Sequence, residues 1–123
     1  MSLFVNMITV QLNLYIFIYD SKDKDFNIIS IDKNRLEIPS LLISDTDKTI
    51  RDHLDSVCKT VIIDYQPTYY RLLNNLILDS CYHSLYFCVI PTDTKFKEIA
   101  YKLPVKNYAI HSPNIQKIMQ KIR

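Results

Sequence analysis

Asp52 and Asp55 are the two carboxylates of this chain whose spacing could do chemistry. Three residues apart on a helix, they face the same side and can share one cation. Two carboxylates alone make a weak magnesium site, and the competing reading is a solvated helix face. His53 lies between them and reads as a surface histidine. Cys58, Cys81 and Cys88 have no metal-ligand spacing, and their odd count suits free buried thiols in a reducing compartment. His83 stands beside Cys81 and Tyr82 with no second ligand at a metal spacing. His111 precedes Ser112 as part of a capping turn. None of these groups completes a catalytic or metal-binding motif.

A second kind of chemistry is recognition. The chain has 9 tyrosines and no tryptophan. Tyr65, Tyr69 and Tyr70 flank Arg71, and such an aromatic and guanidinium cluster stacks bases or anchors protein interfaces. The competing reading has the tyrosine rings filling the core with their hydroxyls reaching solvent. Charge is uneven along the chain. Residues 1–94 hold 8 basic and 12 acidic side chains, whereas residues 95–123 hold 7 basic and 1 acidic. Lys102, Lys106, Lys117 and Lys121 in that basic segment are candidates for a face that meets nucleic acid or an acidic protein. A solvated basic face is the alternative.

The 123 residues contain no glycine. Phosphate cradles that need a close backbone approach or a positive φ at glycine are therefore excluded: no P-loop, no dinucleotide fingerprint, no kinase-type loop. Turns must fall to Asn, Asp, Ser and Pro. A 48% hydrophobic fraction supplies a core, and the length suits one α/β domain over residues 1–123. The longest apolar run, Leu14 to Tyr19, is far too short to cross a membrane, and no signal-peptide pattern precedes it. A cytoplasmic location is the expectation. Abundant Ile, Lys, Asn and Tyr suggest an AT-rich genome, compatible with a phage or a bacterium.

Periodicity predicts the elements that must position these groups. Val5 to Tyr19 reads as strand, its apolar end buried on both faces, with Asn13 dividing it or marking a bulge. Asp20 to Asp25 is a turn, and Phe26 to Ile31 a second strand paired to the first. Leu36 to Ile38 leads to Pro39, which limits any strand there to an edge or an end. Asp45 to Thr60 predicts a helix with Ile50, Leu54, Val57 and Val61 on one stripe. Ser44 or Thr46 would cap it, and Asp47–Arg51 and Asp55–Lys59 would pair on its outer face. Pro67 to Leu78 fits a helix or an apolar strand turning at Asp79-Ser80. Leu85 to Ile90 is a buried strand ended by Pro91, and Ile99 to Leu103 a short strand. Ser112 and Pro113 open a last helix with Ile115, Ile118, Met119 and Ile122 inward and Lys117, Lys121 and Arg123 outward.

This order of elements resembles the Nudix hydrolases, from Leu36-Glu37-Ile38-Pro39-Ser40 through the helix Asp47 to Lys59, the strand Leu85 to Ile90 and the helix Ser112 to Ile122. The resemblance implies an α+β fold with a mixed β-sheet sandwiched by helices. It also implies a helix whose glutamates hold divalent metal against a pyrophosphate. The family's motif is not intact in this sequence. Ser40 and Leu41 stand where glycines belong. Arg51-Asp52 can stand for the Arg-Glu pair, which puts the paired glutamates on Asp55 and Ser56 and the closing glycine on Cys58. That register turns His53 inward. A shift by one turns Leu54 inward and leaves Asp52, His53, Ser56 or Val57 at the catalytic positions.

Three functions compete on this reading. The first is a non-catalytic Nudix-like module, without a cofactor, that binds protein or nucleic acid. The second is a divergent magnesium-dependent hydrolase of a nucleoside diphosphate derivative, with metal on Asp52, Asp55 and either Asp45 or Asp47. The third is an assembly protein that forms homo-oligomers through a strand edge or an apolar face.

Overall fold

The computed structural model describes residues 9–43 and 47–123. Its first strand, β1 (Thr9–Asp20), is the centre of a six-stranded mixed sheet. On one side β1 runs parallel to β6 (Cys81–Ile90), from Thr9 opposite Cys81 to Ile18 opposite Ile90. On the other side it has two successive antiparallel partners. Val10 to Asn13 pair with β3 (Ser40–Ile43), and Phe17 to Asp20 pair with β2 (Asp25–Ser30). Asn13 therefore neither divides the strand nor bulges it. It is the last residue paired to β3, and just beyond it the Leu14 N–H donates to the Pro39 carbonyl at 3.0 Å. The part of the expected strand before Thr9, and the expected caps Ser44 and Thr46 with Asp45, lie outside the described residues.

The segment from Pro67 to Leu78 resolves as strand: β5 (Arg71–Leu78) forms an antiparallel hairpin with β6, bulged between Leu72 and Asn74. The turn is the dipeptide Asp79-Ser80, with φ of 50° and 64°. Two positive φ values in a two-residue loop give the twist a hairpin needs, at a cost of roughly 1 kcal/mol for each residue that carries a Cβ. Lys24 and Asp64 take the same left-handed region, so among the described residues four non-glycine residues do work usually left to glycine. Ser30 organises the next loop. Its buried hydroxyl accepts from the Asp32 and Glu37 N–H groups at 3.1 and 3.0 Å, and lies 2.8 and 2.9 Å from the Asp32 and Arg35 carbonyls.

Helix α1 (Ile50–Val61) covers one face of the sheet. It starts five residues later than the periodicity predicts. Thr49 caps it in a reciprocal box: its side chain accepts from Asp52 N–H while the Asp52 carboxylate accepts from Thr49 N–H. Each such cap contributes about 1 kcal/mol. A two-stranded ribbon follows, from β4 (Ile62–Ile63) and β7 (Lys95–Phe96). The far edge of the main sheet is β8 (Tyr101–Pro104), paired to β2. A short α2 (Lys106–Ala109) leads to α3 (Pro113–Ile122), which Ser112 caps through Ile115 N–H at 3.2 Å.

The period of β1 assigns the two cores. Leu12, Leu14, Ile16 and Ile18 meet Leu54, Val57, Cys58 and Val61 of α1. Tyr15 and Phe17 meet Ile115, Ile118 and Met119 of α3, together with Leu85 and Phe87 of β6. A strand buried on both faces must read as a continuous apolar run, which is what Leu14 to Ile18 shows. The fold is therefore α+β, a mixed sheet between helices. No helix among the described residues is long and apolar enough to cross a membrane.

Candidate functional site

The side chains that could carry chemistry converge where α1 meets the connection to β5. Asp55 points inward, not to the outer face: it is 8% exposed. Its Oδ1 accepts from the Tyr70 hydroxyl at 2.5 Å, and its Oδ2 accepts from Gln66 Nε2 at 2.5 Å. Arg51 approaches from one turn earlier, with Nε 3.8 Å from Oδ2. The expected pair with Lys59 gives way to this one because the connection between β4 and β5 passes on the Arg51 side. Arg51 holds that connection directly. Its guanidinium donates to the Thr68 carbonyl and, at 2.7 Å, to the Pro67 carbonyl, and it lies 5.8 Å from the Tyr70 ring centre. Asp47, expected to pair with Arg51 on the outer face, does have an interaction partner.

His53 is also buried, 6% exposed and engaged, in contrast to the surface position expected of it. Both His53 and Leu54 face inward, so the helix buries a wider arc than the single stripe of Ile50, Leu54, Val57 and Val61. Ile50, at the start of that stripe, is 43% exposed. Asp52 and Asp55 do not act together. The first is exposed and closes the cap; the second is buried and braces the connection. Both Asp55 oxygens are engaged by protein donors, so a cation shared with Asp52 would have to displace them. Among the described residues, no three His, Cys, Asp or Glu side chains form a metal-holding group.

Tyr70 belongs to this brace. Burial, and then the hydrogen bond to Asp55, push its phenol well above the ordinary value, so it is a fixed donor. Its oxygen is also 3.5 Å from Cys58 Sγ. Cys58 and Cys88 are free and buried, whereas Cys81 is only half-buried. The hydrogen bond with Cys58, and then burial, push the Cys88 thiol well up. His83 lies beside Asn13, with Nδ1 3.5 Å from the amide nitrogen.

The aromatic cluster thus divides. Tyr70 turns to Asp55, while Tyr65, Tyr69 and Arg71 line a cleft of about 200 Å³ over Phe87 and Val89. Tyr69 is 68% exposed. Arg71 stacks 5.2 Å from the Phe87 ring centre and has no carboxylate partner among the described residues. The basic residues of the last segment sit on three elements: Lys102 on β8, 5.6 Å from the Phe96 ring centre, Lys106 at the start of α2, and Lys117 and Lys121 on α3. All four are exposed. The role of Gln66 escaped sequence reasoning. Nothing in the local pattern marks an exposed loop glutamine as the partner of a helix carboxylate.

No protein-family model and no curated protein sequence matches this chain. Solved structures do. The NUDIX domain of Shewanella oneidensis NrtR, complexed with ADP ribose, superposes with a TM-score of 0.66 at 10% identity, covering 93% of this chain and 88% of that one. The C-terminal domain of mouse MUTYH, in complex with human PCNA, gives 0.65 at 10% identity over 91% and 85%. A mutT/nudix family protein from Listeria innocua gives 0.64 at 6% identity over 92% of each chain. The fold of this protein is Nudix-like.

Proposed function

We propose that this Nudix-like fold serves as a non-catalytic binding module for a protein partner, seated on the cleft between Tyr65, Tyr69 and Arg71. The observation that carries the reading is the occupation of Asp55. In the register that sets Arg51-Asp52 on the Arg-Glu pair, the position of a metal-binding glutamate holds a shorter, buried carboxylate, already bound by Tyr70, Gln66 and Arg51. A pyrophosphate-bridging site needs several open oxygen ligands. With no glycine in the chain, the backbone supplies no close phosphate cradle either. The exposed ring of Tyr69 beside a stacked guanidinium with no carboxylate partner among the described residues is the composition of an interface anchor. The MUTYH domain crystallised with PCNA is a fold neighbour found bound to a protein.

The second reading is a divergent magnesium-dependent hydrolase of a nucleoside diphosphate derivative. It draws on neighbours such as the NrtR domain with ADP ribose and the C. elegans Ap4A hydrolase. Titrating magnesium or manganese while following the melting temperature separates the two. The binding module gives no metal-specific rise and no turnover of ADP-ribose, Ap4A or nucleoside triphosphates. A rise with either metal, accompanied by turnover, overturns it. Nucleic acid is tested in the same series: binding that falls steeply with salt and weakens on Lys117→Ala and Lys121→Ala would move the partner to the basic segment.

A further inference from the structure

We infer that the partner in this cleft is an extended acidic peptide, laid along the free end of β6 with a carboxylate on Arg71. This rests on the cleft being the partner site and adds what that partner must look like. β6 outruns its hairpin mate: β5 begins at Arg71, opposite Phe87, and β6 continues to Ile90. One edge of residues 88–90 is taken by Ile16 to Ile18 of β1. Along the other edge residues 65–70 pass without a backbone hydrogen bond to residues 88–90 among the described residues. They are held toward α1 instead, by the Arg51 bonds to Pro67 and Thr68 and the Tyr70 bond to Asp55. The N–H and C=O of one strand residue point to the same edge, and successive residues alternate. At least one of residues 88–90 therefore turns both groups toward the cleft, which is the footing for an added strand.

Charge and shape select that strand. Among the described residues lining the cleft, Arg71 is the one charge, and no carboxylate lines it. The Phe87 ring holds the guanidinium in place, so an acidic side chain meets a cation already oriented. Arg71 opposite Phe87, and Val89 two residues on, share the face that packs against α3. That helix ends at Ile122, and Val89 is left 43% exposed. An apolar side chain of the peptide fits over Val89 and Ile122, on the same face as the carboxylate and so two residues from it. The cleft holds about 200 Å³, below the roughly 300–1,000 Å³ of a site that encloses a small molecule. That volume suits one or two anchoring side chains. A nucleic-acid strand needs a row of cations, and the cleft lining supplies one.

A display library of random short peptides, selected on the full chain, tests the inference. The enriched sequences should carry Asp or Glu two positions from a large apolar residue. A labelled peptide of that sequence should bind at least about tenfold more weakly to Arg71→Glu, while Arg71→Lys keeps part of the affinity. Selection on Arg71→Glu should enrich Lys or Arg in place of the acid. Binding to the unaltered chain should also slow hydrogen exchange at an amide within residues 88–90, a readout that stands even if a variant fails to fold. Enriched peptides without an acid, or binding that ignores Arg71→Glu in folded protein, overturn the inference and leave the cleft as a partner site. A library that yields no binder overturns it too, and if magnesium-dependent turnover accompanies that result, the binding-module reading falls with it.

Discussion

Helices α1 and α3 lie on opposite faces of one sheet, are capped by Thr49 and Ser112, and bury their inner sides. They differ in what they bury. The buried residues of α3 are Ile115, Ile118 and Met119, all apolar. Those of α1 include His53 and Asp55 beside Leu54, Val57, Cys58 and Val61. An apolar face needs only shape, whereas a buried carboxylate needs partners, and Asp55 takes its partners from a connection that would otherwise be loose. Arg51 and Asp55 of α1, the helix where the resemblance places catalysis, are thus committed to holding residues 66–70 against it.

Substitutions on the two faces test that difference. Ile118→Ala on α3 should cost about 3–4 kcal/mol in urea unfolding through cavity formation, with no dependence on pH near neutrality. Asp55→Ala on α1 should cost about 2–3 kcal/mol by stranding the Tyr70 hydroxyl and the Gln66 amide, and it should expose the segment around Tyr69 to proteolysis. Asp55→Asn, which keeps an acceptor, should recover part of that loss. A cost for Asp55→Ala no larger than that of an exposed substitution would erase the contrast.

The smallest effect belongs to the end of α3. Arg123 donates to Asp25 Oδ1 at 2.6 Å and ties the helix to β2. Burial works against the charged form of Asp25, but the Arg123 bond and the Phe26 N–H outweigh it and hold the carboxyl below its ordinary value. A depressed folded-state value stabilises above the unfolded one, near 3.9, and that contribution disappears as pH falls through the folded value. Acid unfolding of Arg123→Ala should therefore differ from wild type above about pH 4 and converge below it. The difference should stay under about 1 kcal/mol and shrink with salt, since Arg123 is half exposed.

How much of this was legible depended on whether the deciding contact was local. The run Leu14 to Ile18, the Ser112-Pro113 start and the Ile115, Ile118 and Met119 stripe carry their own signals, and all three elements appear where those signals put them. The α+β order and the Nudix-like arrangement followed from them. The segment Arg71 to Leu78 alternates too poorly to choose between helix and strand, and its state is set by β6 across the hairpin. The start of α1 was open to a closer look: Thr49 with an acid at Asp52 is the spacing of a capping box, overshadowed by Ser44 and Thr46 upstream. Burial of Asp55 was not accessible. Helical periodicity ranks faces by hydrophobicity, and it cannot register a carboxylate drawn inward by Gln66 and Tyr70 eleven and fifteen positions later.

The parallel ladder between β1 and β6 bears on how the molecule is made. Thr9 pairs with Cys81 and Ile18 with Ile90, a separation of 72 residues at every step. During synthesis β1 leaves the ribosome long before the strand that will flank it, and until then its hydrophobic run has β2, β3 and α1 to pack against but an open edge on the β6 side. Closing so large a loop is slow, so refolding in milliseconds to seconds, and vulnerability to aggregation of truncated nascent chains, are built into the topology.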